Sequence, residues 1–141
     1  MSTADPFNPE RFDKALAELR AGKKRNHWMW FVFPQLRGLG HSPVSEFYGI
    51  GSLDEARAYL EHSLLGARLT LCTETVLASR ATSLRELFAS SDDLKFRSSM
   101  TLFETAAADD GSLFRKALDR WCAGQADERT RRLLSSHGSK V

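Results

Sequence analysis

Proline is confined to the first third of the chain, at positions 6, 9, 34 and 43, so residues 44–141 contain no obligatory helix breaker. Strand signals are also scarce: β-branched residues are few and no two alternating runs are joined by a hairpin turn, which argues against a sheet. Only two cysteines occur, Cys72 and Cys122, each within an apolar helical pattern. Buried thiols in a reducing compartment are expected, rather than a disulfide or a nucleophile. The four histidines, His27, His41, His62 and His137, are scattered without ligand spacing, so no metal site and no cofactor are expected. A dominant charge sign is missing as well. The 20 basic and 18 acidic residues leave +2, too even for a protein whose main role is coating nucleic acid. The longest apolar run, Trp28 to Phe33, falls far short of the ~20 residues of a membrane span, and the Met1 to Asp5 start has no signal-peptide core. With 141 residues, 42% hydrophobic and 27% charged, the chain is expected to be one cytoplasmic domain over 1–141, flexible at 1–7 and 135–141.

What is present is helical patterning. Asn8 before Pro9 reads as a cap and first-turn proline, followed by an apolar stripe of Phe12, Ala15, Leu16 and Leu19 that ends near Gly22. Trp28 to Phe33 reads as a buried helical turn stopped by Pro34, and Leu36 to Gly51 as the main ordered loop. Ser52-Leu53-Asp54-Glu55 and Ser83-Leu84-Arg85-Glu86 are capping boxes that open helices. Leu65, Leu69, Cys72 and Val76 step by helical spacing after Ser63, as do Phe96, Met100, Phe103 and Ala107 after a start at Ser91-Asp92-Asp93. Ser112 starts a helix closed by Gly124, and Asp127 starts a basic one to about Leu134. The fold class is therefore all-α, a single multihelical domain of about six to eight helices.

The densest feature is Lys23 to Gln35, which packs three cations, an imidazole, two indoles and two phenyl rings. Rings at helical spacing, such as Trp28 and Phe31, have a sufficient reason in the core, and Lys23 with Arg25 in a solvated face. The same segment also offers a second role: Lys24 as a phosphate ligand, Trp28 or Trp30 as a stacking surface, and Gln35 as a polar contact. His27 is the best proton-transfer candidate, because imidazole suits acid–base work near neutral pH. Gly49-Ile50-Gly51-Ser52 leads into a helix whose first amides suit an anion, with Tyr48 beside it, although two glycines before a cap more often make a plain turn. Farther on, Lys95 and Ser99 share one helical face. Asp92 and Asp93 are explained as cap and dipole complement, and Asp93 is also a candidate acid or base.

The runs His27-Trp28-Met29-Trp30-Phe31-Val32-Phe33-Pro34-Gln35, Gly38-Leu39-Gly40, Tyr48-Gly49-Ile50 and Leu53-Asp54-Glu55-Ala56 recur at family-like distances. With Asp93-Leu94-Lys95 and Ser98-Ser99-Met100-Thr101-Leu102-Phe103, they resemble the bacterial family catalogued as domain of unknown function 1810. The resemblance spans nearly the whole chain and implies a small all-helical protein. Some members carry a calpastatin label, which a folded domain of this composition does not support. Ser63 departs from the family, which more usually has proline there.

The Leu53 to Leu69 pattern is also faintly similar to small helical hydrolases acting on ADP-ribose and related N-glycosides. That similarity implies an N-glycosidic site in which Asp93 supports an oxocarbenium-like transition state and Lys24 or Lys95 holds phosphate. The expected function is thus binding of a nucleotide-like or ADP-ribose-like small molecule, extending to hydrolysis. His27, Asp93 and Lys95 are the catalytic candidates. Lys24, Trp28, Trp30, Gln35, Tyr48 and Ser99 are the ligand-binding ones. The alternative is a nucleic-acid- or protein-binding module without catalysis, using a basic surface from Lys23, Lys24 and Arg25 to Arg129, Arg131 and Arg132. The small-molecule reading requires the tryptophan-rich segment and the helix that carries Lys95 and Ser99 to wall one shared hollow, on which Lys24, His27, Gln35, Tyr48, Asp93, Lys95 and Ser99 converge; solid hydrophobic filling between the two would end it.

Overall fold

The computed structural model describes residues 9–39, 43–89, 91–107 and 112–138. The Asn8 cap, Gly40, His41 and the extreme ends lie outside the described residues. Among these residues the chain forms nine helices: α1 (Pro9–Ala21), α2 (Met29–Val32), α3 (Pro43–Tyr48), α4 (Leu53–Glu61), α5 (Leu65–Leu77), α6 (Leu84–Phe88), α7 (Asp92–Ala107), α8 (Leu113–Trp121) and α9 (Glu128–Gly138). The fold is all-α, with no strand in the described residues. One helix more than expected appears because α3 forms inside the stretch read as a loop. The last helix runs past the expected Leu134 to Gly138.

The capping boxes work as their spacing dictates. Ser52 Oγ accepts from the Glu55 amide at 3.1 Å and Ser83 Oγ from the Glu86 amide at 3.1 Å. Ser112 Oγ accepts from the Arg115 amide at 3.2 Å, and Asp127 caps α9 through the Thr130 amide at 2.9 Å. Each cap satisfies an orphan amide, a contribution of about 1 kcal/mol. At the α4–α5 corner Gly66 permits a backbone approach that no other residue would allow, because a Cβ there would lie 2.1 Å from the Leu60 carbonyl oxygen.

Helix α7 is the spine of the molecule and packs against α4, α6, α8 and α9. Its apolar face, Phe96, Met100, Leu102 and Phe103, is fully buried. Phe96 meets Phe33 at 5.1 Å edge-on and Phe88 at 5.2 Å in a stack, so the 28–36 segment and α6 are both locked to the start of α7. Each such ring contributes about 1.5–3 kcal/mol by leaving water. The tryptophan-rich segment meets the helix of Lys95 and Ser99 across the packed rings of Phe33, Phe88 and Phe96, so at this contact the expected shared hollow is filled.

The loops around this contact are held by main-chain bonds. An isolated parallel bridge joins Leu36 to Ile50, with Arg37 N–H donating to the Ile50 carbonyl at 2.7 Å and Ile50 N–H to the Gln35 carbonyl at 2.8 Å. The Arg37 guanidinium also ties down the end of α3, donating to the carbonyls of Glu46 at 3.0 Å and Gly49 at 2.8 Å. After α1 the chain reverses at Gly22, whose φ of +81° suits glycine. Lys24 N–H then donates to the Leu87 carbonyl at 2.7 Å, which fastens the reversed segment to α6.

Candidate functional site

The reversed segment is shaped by one carboxylate that sequence reasoning did not single out. Glu18, on α1, accepts from the amides of Arg25 at 2.7 Å and Asn26 at 3.0 Å and from the Trp28 indole N–H at 2.8 Å. The Asn26 side-chain amide donates to its other oxygen. Burial alone would raise the Glu18 carboxyl, but these four hydrogen bonds outweigh it and hold the group down at about 2. Glu18 thereby fixes residues 24–28 in a single arrangement, and Lys24 and Trp28 with them.

Lys24 reaches inward. Its side chain is 7% exposed, and Nζ lies 2.7 Å from Asp92 Oδ2. The other Asp92 oxygen, Oδ1, accepts from Lys95 Nζ at 3.1 Å. One carboxylate thus serves two ammonium groups, and the cluster retains one positive charge. Each ammonium also sits over an indole: Lys24 Nζ is 5.2 Å from the Trp28 ring centre and Lys95 Nζ is 5.1 Å from that of Trp30, distances at which cation–π attraction operates. Trp30 is half-buried and the Lys95 side chain is 30% exposed, so this end of the cluster opens to solvent.

One turn along the same face of α7 stands Ser99. Its neighbours Ser98, Thr101 and Thr105 each donate their hydroxyl to the carbonyl four residues back. Ser99 does not. It is 0% exposed, and its Oγ has no hydrogen-bond partner. A buried idle hydroxyl costs about 1–3 kcal/mol, which the fold tolerates here one turn from an exposed ammonium.

The structure therefore brings together Lys24, Trp28, Trp30 and Lys95 and places Ser99 one turn away. The remaining candidates lie elsewhere. Asp93, adjacent to Asp92 in sequence, turns to a different flank of α7: its Oδ1 accepts from the Leu94 amide at 2.9 Å and its Oδ2 is 3.7 Å from Arg85 Nε. Successive helix positions diverge by about 100°, so Asp92, three residues before Lys95, is the carboxylate at the cluster. His27 is exposed and lines a separate groove with Arg11 and Lys14. Trp28 is only 3% exposed, edge-on to Phe88 and bonded to Glu18, so it is a core residue that backs the cluster and offers no free face for stacking. Gln35 contributes its main-chain carbonyl to the bridge with Ile50. Tyr48 packs its ring against Phe31 at 6.3 Å and Phe47 at 5.1 Å.

Thiol chemistry has no support. Cys72 is buried and its thiol is pushed up to about 12 by that burial, and the half-buried Cys122 is raised for the same reason. Among the described residues no three His, Cys, Asp or Glu side chains gather as a metal site, and no helix is long and apolar enough to cross a membrane.

Comparison with known proteins agrees with this architecture and leaves the chemistry open. No curated protein matches the chain. A crystal structure of a conserved hypothetical protein from Mycobacterium tuberculosis is 51% identical, superposes with a TM-score of 0.82, and is matched over 93% of this chain and 99% of its own. The model of the family described as "Protein of unknown function (DUF1810)" matches residues 5–134. The chain therefore belongs to that family.

Proposed function

We propose that this protein binds a small, ring-bearing anion of the nucleotide or ADP-ribose type at the Lys24–Asp92–Lys95 cluster. The observation that carries the reading is the shared carboxylate: two ammonium groups meet one counter-charge, at 2.7 and 3.1 Å, in a partly desolvated setting. The surplus positive charge sits at the solvent-facing end, on Lys95, where a phosphate could reach it and supply the missing counter-charge. The half-buried Trp30 ring beside it offers apolar surface for a base, and stacking of that kind contributes about 1–3 kcal/mol.

Binding is favoured over hydrolysis by the carboxylates. Asp93 faces Arg85 and its own helix, and both Asp92 oxygens are held by ammonium groups, so neither is free to protonate a leaving group or shelter an oxocarbenium ion. The nucleic-acid alternative is weakened because Lys24 is withdrawn from the surface, and Arg129 donates to the Leu39 carbonyl at 3.3 Å.

A thermal-shift screen against nucleotides, ADP-ribose, NAD and short oligonucleotides tests the proposal. A ligand at about 100 times its Kd should stabilise the fold by about 2.7 kcal/mol. Lys95→Ala should abolish the shift while the unliganded protein keeps its melting temperature. Stabilisation by oligonucleotides alone would favour the macromolecular alternative, and no stabilisation by any of these compounds would end the small-anion reading.

A further inference from the structure

The same Glu18-held segment walls a second hollow, and the cluster above makes no use of it. A groove of about 270 Å³ is lined by Arg11, Lys14, Asn26, His27, Trp28 and Phe31. Three of the six residues are basic and none is acidic. Arg11 and Lys14 are three apart on α1 and share one face, so the like charges sit side by side. They occupy the first turns of the helix, where its dipole adds positive potential. The Arg11 guanidinium lies 4.4 Å over the Phe31 ring centre, which fixes its plane. Lys14 and His27 are exposed, and among the described residues neither makes a hydrogen bond or ion pair. The Lys14 ammonium and the hydrogen-bonding capacity of the His27 ring are uncommitted. On the facing wall Asn26 is held through its backbone and side-chain amides by Glu18, so the backbone that carries His27 is set in advance of any ligand.

We infer that this groove is a second anion site, distinct from the lysine pair, and that it takes a phosphomonoester. Basic groups converging from two chain segments favour a dianion over a monoanion. The edge of the Phe31 ring gives apolar surface for a small organic group attached to the phosphate, and the volume accommodates both. None of Lys24, Asp92 and Lys95 lines the groove, so the two sites are separable by mutation.

The test is an NMR titration of the full chain with ribose 5-phosphate and, separately, inorganic phosphate, at ionic strength held constant with chloride. The signals to follow are the His27 imidazole C–H and the Trp28 indole N–H. Saturable displacement of both is expected, tighter for ribose 5-phosphate than for inorganic phosphate. In the Lys14→Ala/His27→Gln double variant the Trp28 displacement should require at least about tenfold more ligand. Lys14→Arg should retain binding, and Lys95→Ala should leave it unchanged. Three results would overturn the inference: equal displacement by added chloride, wild-type affinity in the double variant, or loss of displacement in Lys95→Ala with retention in Lys14→Ala.

Discussion

Two polar clusters lean on α7, one near each end, and they are completed in different ways. Toward its C-terminal end the Arg115 guanidinium meets Glu104 at 3.1 Å, Asp119 at 3.2 Å and the Gly124 carbonyl at 2.7 Å. Arg97 alongside donates to the carbonyls of Gln125 at 2.8 Å and Ala126 at 3.1 Å. Cations here outfit a turn: they hold the α8–α9 connection, and Asp119 is 62% exposed. At the N-terminal end Lys24 and Lys95 divide a single carboxylate, one positive charge is left over, and a buried serine nearby is idle. The first arrangement sets two carboxylates around one guanidinium, and Arg115 Nε, like Ser99 Oγ, is buried without a hydrogen-bond partner. The second leaves one ammonium over, at an end open to solvent, and that surplus positive charge is what separates a binding cluster from a structural staple.

Mutations can break or sharpen this contrast. The largest effect is expected from Lys24→Ala, which removes the more buried ammonium from Asp92 and should cost about 3 kcal/mol in urea unfolding. Full retention of stability would show that the pair is not a buried one. Arg115→Ala should cost about 2 kcal/mol, through lost charged hydrogen bonds, and leave ligand-induced stabilisation intact. Loss of ligand response in that variant would dissolve the distinction between the two clusters.

Glu18→Gln should cost about 1.5 kcal/mol at neutral pH, because a charged acceptor of four donors is replaced by a neutral one. The effect carries a pH signature. The Glu18 carboxyl is lowered from its ordinary 4.5 to about 2, so its contribution is complete above 4.5 and disappears as pH falls toward 2. The stability gap between wild type and Glu18→Gln should close across that window in acid-unfolding curves. A gap independent of pH would contradict the assigned role. The smallest effect on stability belongs to Ser99→Ala. Removing an unsatisfied hydroxyl should change the unfolding free energy by less than about 1 kcal/mol, in the stabilising direction. A clear destabilisation would mean that the hydroxyl is bonded in the folded protein.

Much of the architecture was legible because it is local. Ser52, Ser83 and Ser112 announce their helices by spacing alone, and the Phe96, Met100, Phe103 stripe announces the buried face of α7. α3 was not legible, since its stability comes from Arg37 reaching back to Glu46 and Gly49 rather than from an apolar stripe of its own. At the site, Lys24, Trp30, Lys95 and Ser99 could be singled out as unusual groups in aromatic or helical context. Asp92 was passed over for Asp93 as the chemical carboxylate, although the three-residue step from Asp92 to Lys95 places those two on one helical face and was visible in the sequence. Glu18 carried no such signal. Its partners lie seven to ten residues ahead, across a chain reversal that only the folded structure reveals.

The most direct measurement is calorimetric titration of ADP-ribose and of NAD, which carry no phosphomonoester for the second groove, into wild type, Lys95→Ala and Lys95→Arg, with the melting temperature of each protein recorded beside it. The account predicts saturable binding by wild type and at least about tenfold weaker binding by Lys95→Ala at unchanged melting temperature. Lys95→Arg should fall between them, because a guanidinium restores the charge without the compact ammonium geometry over Trp30. Equal affinity in wild type and Lys95→Ala, or no binding of either compound by wild type, would contradict it.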